Sequence, residues 1–75
     1  MTPIVENKVK QTMTDLLTLS VGESWASTIA EDILTEVCSE IEYSIGEDAS
    51  VNEITTKCVQ SHMGEVLDRR LDIRL

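Results

Sequence analysis

The 75 residues carry 14 acidic against 6 basic side chains, a net charge of -8 and a pI near 4.3, which argues against proteins that neutralise nucleic-acid phosphates and against docking on anionic membranes. Although 41% of the chain is apolar, it contains no Phe, one Trp and one Tyr, so its core must be built from Ile, Leu, Val, Met and Ala. A chain this short buries only about 60% of the surface its unfolded form exposes, and a second copy is one way to supply the missing burial.

The first predicted helix covers roughly residues 3–20. Thr2 can cap it and Pro3 suits the first helical position, where its missing N–H is no loss. Val5, Val9, Met13, Leu16, Leu17 and Ser20 then recur at three- and four-residue steps, one face of an amphipathic helix. Gly22 ends or bends it. Either Gly22 is the left-handed residue after that helix with Ser24 capping the next, or Ser20 and Glu23 form a capping box.

The second helix, roughly 24–45, carries Ala26, Ile29, Ala30, Ile33, Leu34, Val37, Ile41 and Ile45, a broad stripe that needs more than one neighbour. Gly46 stops it. Ser50-Val51-Asn52-Glu53 reads as a capping box opening a third helix over 51–71, with Val51, Ile54, Cys58, Val59, His62, Val66, Leu67 and Leu71 on its apolar side. No segment alternates convincingly like a strand. If the last two helices fold back about a loop centred near Asp48, Ile45 meets Val51, Val37 meets Val59, Leu34 meets His62, Ile33 meets Met63, Ala30 meets Val66, Ile29 meets Leu67 and Trp25 meets Leu71. The expected fold is therefore all-α: one domain over residues 1–75, a small three-helix bundle containing an antiparallel helical hairpin, closed as a monomer or completed by homodimerisation.

Cys38 and Cys58 lie equally far from Asp48 in sequence, but their helical directions point apart, so two separate buried thiols are expected rather than a disulfide. Cys58 and His62 stand four apart on one face and Cys38 offers a third metal ligand, yet no fourth Cys, His or carboxylate is level with His62. No metal or cofactor is therefore expected. His62 reads instead as a hydrogen-bonded core or interface residue. Asp32, Glu36 and Glu40 repeat at four-residue spacing on a solvated face, where a shared-proton catalytic role is less plausible than simple exposure. With one His, no nucleophile–base set and no Gly-rich phosphate loop, no enzymatic activity is expected. Gly64 costs a helix about 1 kcal/mol relative to Ala, marking a kink or the close approach of a partner backbone.

The charge is concentrated. From Glu23 through Glu53 there are nine acids and no Lys or Arg, while the flanking segments hold all six basic residues. Trp25 and Tyr43 fall on the flank of the second helix shared with Asp32 and Glu36, either as anchors for a partner or as covers over a small core. The expected function is that of a non-enzymatic acidic protein that binds a larger protein as a regulator or inhibitor. Its partner-binding residues are Trp25, Asp32, Glu36, Glu40 and Tyr43, and the partner presents a basic or apolar patch. The alternatives are an assembly subunit acting through helical homodimerisation and a DNA mimic. No apolar run approaches the ~20 residues of a membrane span, and Met1 to Val9 lacks the basic-then-apolar order of a secretory signal. With only two thiols the chain is expected in the cytoplasm, binding neither nucleic acid nor membrane.

Overall fold

A computed structural model describes residues 1–73, the last three by their backbone alone. It contains helices α1 (Pro3–Val21), α2 (Glu23–Ile45) and α3 (Thr56–Ile73), with one turn of 3-10 helix over Val51–Glu53 between the last two. The all-helical expectation holds, and no strand occurs among the described residues. No helix there is long and apolar enough to cross a membrane.

α1 starts as its sequence dictates: the Thr2 hydroxyl accepts the Val5 N–H at 3.3 Å, with Pro3 opening the helix. Val5, Val9, Met13 and Leu17, spaced at successive fours, are its buried positions. The helix ends because Gly22 adopts φ +85° and ψ 164°, a conformation open almost only to glycine. Gly22 donates its N–H to the Thr18 carbonyl at 3.2 Å and accepts the Ala26 N–H at 3.0 Å. One residue thus closes α1 and opens α2. Neither Ser24 nor a Ser20–Glu23 box caps α2. Ser24 lies inside the helix, where its carbonyl accepts the Thr28 hydroxyl.

α1 and α2 form the most extensively packed pair. Lys10 reaches Glu31 at 3.3 Å and the amino group of Met1 reaches Glu42 at 3.6 Å, the order that antiparallel helices joined at Gly22 require. Ala26, Ala30, Ile33, Val37, Cys38 and Ile41 are buried on α2. Together with the α1 stripe and with Ile54, Val59, Met63 and Val66, they make one continuous core, and among the described residues no polar or charged residue is buried. The two alanines near the link let the helix backbones approach where the connection is shortest.

α3 runs antiparallel to α2, as predicted, but in a different register and from a later start. The Ser50–Glu53 pair caps only the 3-10 turn: Glu53 Oε1 accepts the Ser50 N–H at 3.2 Å, and the Glu53 N–H donates to the Ser50 carbonyl at 3.0 Å. The chain then leaves helical geometry at Ile54 (φ -85°, ψ 81°), whose side chain is buried. The Thr55 hydroxyl, accepting the Cys58 N–H at 3.1 Å, caps α3. The break coincides with the burial of Ile54, whose side chain joins the common core from this non-helical position. Val51, expected against Ile45, is exposed, as is Ile45.

Lengthening the connection moves its midpoint from Asp48 to the Ser50–Val51 bond and displaces each cross-helix pair by twice as much. His62 accordingly lies beside Glu40 rather than Leu34, and Arg70 reaches Asp32 and Glu36 rather than the level of Ala26. This slides α3 by roughly five to six residues, about 8–9 Å at 1.5 Å per residue, toward the C-terminal end of α2. The expected Trp25–Leu71 contact falls on a side chain outside the described set.

Gly64 is a separate case, because an added methyl group would meet nothing within 4 Å and φ is not positive. Gly64→Ala is expected to stabilise the isolated chain by about 0.4–1 kcal/mol in urea titrations. A destabilising result would show that a neighbouring backbone occupies the space above it.

Candidate functional site

Asp32, Glu36 and Glu40, one helical turn apart on α2, meet two arginines of α3. Arg70 donates to Asp32 Oδ2 at 2.8 Å and to Glu36 Oε1, and Arg69 contacts Glu40 at 2.6 Å. The register shift makes these pairs possible, and simple level-matching missed them because it brought apolar residues together and left Arg69 and Arg70 near the start of α2. Two further acids of the block, Glu31 and Glu42, pair with Lys10 and the N-terminal amine. Among the described residues Glu23, Glu47, Asp48 and Glu53 make no ion pair. The uncompensated charge therefore gathers at the two ends of α2 and in the loop after it, rather than along the middle of its face.

The two aromatics mark those ends. Trp25 is 65% exposed and Tyr43 93% exposed, so neither covers the core. The 18 residues between them make five helical turns, which returns both to one side of α2 about 27 Å apart. Of the five residues expected to bind a partner, the structure sets Asp32, Glu36 and Glu40 in a strip paired with Arg69 and Arg70, with Trp25 and Tyr43 exposed beyond its ends.

Both cysteines are free. Burial, and after it the negative charges of Glu6 and Glu42, push the Cys38 thiol up to about 11, only partly offset by the N-terminal amine. Burial also raises Cys58, which is only half-buried rather than fully so. A thiol held protonated is a poor nucleophile at neutral pH. The groove beside Cys38, between Met1, Glu6, Leu34 and Glu42, encloses about 170 Å³, below the ~300–1,000 Å³ usual for small-molecule sites.

His62 departs from its expected place. It is half-buried at the α2–α3 seam, its Nδ1 is shielded from solvent with no hydrogen-bond partner, and carboxylates of Glu40 and Glu65 lie beside it. The expectation that no carboxylate is within reach of His62 is thus corrected: the register shift brings Glu40 to it, and Glu65 stands three residues along α3 itself. No known protein family, curated protein or solved structure matches the chain.

Proposed function

We propose that the chain is a non-enzymatic acidic helical protein that binds a larger protein, as a regulator or inhibitor, through the flank of α2 bearing Trp25, Asp32, Glu36, Glu40 and Tyr43. The observation that carries this reading is the exposure of both aromatic side chains, the chain's only two, on one flank of one helix. Exposed Trp and Tyr are the residues most able to anchor an interface once a partner removes them from water. Glu23 near Trp25, and Glu47 and Asp48 just beyond Tyr43, add uncompensated negative charge at the ends of the strip. That charge favours a partner with basic patches around apolar pockets and speeds its approach. The raised thiols, which are poor nucleophiles, support the non-enzymatic part of the reading.

The test uses the full chain as bait in extracts of its source cell, beside a Trp25→Ala/Tyr43→Ala variant of equal helicity. The reading requires a protein that wild type retains, that the variant releases, and that elutes as salt rises past the screening range of about 0.1–0.2 M. Equal retention by both baits would sink it.

The assembly reading has its own observation. Leu19 is 87% exposed and Val21 41% exposed, flanking Gly22 on the side opposite Trp25 in sequence. A dimer insensitive to salt by sedimentation, and lost in Leu19→Ser, would favour homodimerisation over partner regulation. The DNA-mimic reading retains fewer acids to imitate phosphates, since five of the nine are already paired within the chain.

A further inference from the structure

Glu40 on α2 and His62 and Glu65 on α3 each place one ligand atom within 4.8 Å of the other two. His62 and Glu65 are three apart on their helix, a spacing that puts both on one face. Glu40 is brought opposite them by the register of the α2–α3 pair. Within that cluster, the shielded Nδ1 of His62 finds no hydrogen-bond partner among the described residues, although shielded ring nitrogens are normally paired. We infer that Glu40, His62 and Glu65 form a binding site for a divalent transition-metal ion of the zinc type, which fastens α3 to α2.

The donor set decides the class of ion. One imidazole and two carboxylates suit zinc and its first-row neighbours, whereas magnesium and calcium prefer oxygen alone. Zinc bonds of about 2.0–2.2 Å put tetrahedral ligand atoms about 3.4 Å apart, so the three must close by little more than an ångström. Glutamate side chains have that reach through rotamer changes. Arg69 holds Oε1 of Glu40 at 2.6 Å, which restrains the carboxylate at the seam. The protein supplies three ligands, and water completes the fourth position. Cys58, on the preceding turn of α3, is the competing ligand against which the assignment must be tested.

The full chain, freed of metal with a chelator, is titrated with zinc chloride by calorimetry and by thermal unfolding. One ion per chain and a rise in unfolding temperature are expected for wild type and equally for Cys58→Ser, with no response to magnesium. His62→Gln and Glu65→Gln should each weaken binding by at least the ~10–100-fold that losing even an outer-sphere partner costs a metal site. Glu65 is exposed, so its variant keeps the fold and the test stands even where His62→Gln does not. Cobalt binding should show no thiolate charge-transfer band in the near ultraviolet. The assignment is overturned by no zinc response in wild type, by an unchanged response in Glu65→Gln, or by loss of the response in Cys58→Ser.

Discussion

Ile33→Ala is expected to destabilise the chain by about 2–5 kcal/mol, the range for truncating a fully buried aliphatic side chain. Ile33 is 1% exposed in the stripe of α2 that forms the common core with α1 and α3. No aromatic ring lies in that core to fill the vacated space, because the only two point outward. Small two-state domains hold roughly 0.05–0.15 kcal/mol per residue, or about 4–11 kcal/mol for a chain of this length. The single substitution therefore removes a large share of the total and lowers the urea midpoint accordingly. Urea titration followed by the helical circular-dichroism signal reads it directly. A loss under about 1 kcal/mol would mean that Ile33 is not at the junction of the three helices.

The second large effect belongs to a position with no side chain. Gly22→Ala should cost about 1–3 kcal/mol, because φ +85° with ψ 164° lies in a region that side chains with a Cβ avoid. The new methyl group would meet nothing within 4 Å, so the cost is entirely one of backbone conformation. Gly46, at φ +99° and ψ 160° with the same open space, provides a second measurement of that conformational cost. The two substitutions should cost similar amounts by urea titration while Gly64→Ala goes the other way. If Gly22→Ala proved neutral, the one-residue link between α1 and α2 would have to be wrong.

These glycines also show what could be read without coordinates. Both helix ends at Gly22 and Gly46 followed from composition and periodicity, as did the Thr2–Pro3 start and the buried fours of α1. The order and antiparallel sense of α2 and α3 followed as well. Their register did not, because it depended on Ile54. A residue at helical spacing from Val51 and Cys58 is indistinguishable, by periodicity alone, from one buried through a break in the helix. Threonine at position 55 was the available sign, since a hydroxyl immediately before Thr56 can cap a later start.

The site was legible to the same extent. The acidic block and the two aromatics stand out in the sequence, and their shared flank follows from 100° per residue. The pairing of Asp32, Glu36 and Glu40 with Arg69 and Arg70 does not, nor does the meeting of Glu40 with His62, because both inherit the register. An error of a few residues in a connection becomes a different chemistry at the seam.

The single-residue link between α1 and α2 has a temporal consequence. Bringing these helices together closes almost no loop, whereas α3 must close ten residues of chain before it docks, at an entropic cost that grows with loop length. Contacts of short sequence separation form fastest. On loop closure alone, α1 and α2 are expected to pair first and α3 to dock last. In that order the arginines of α3 would reach the acids of α2 only at the last step, leaving that helix face more negative until α3 docks.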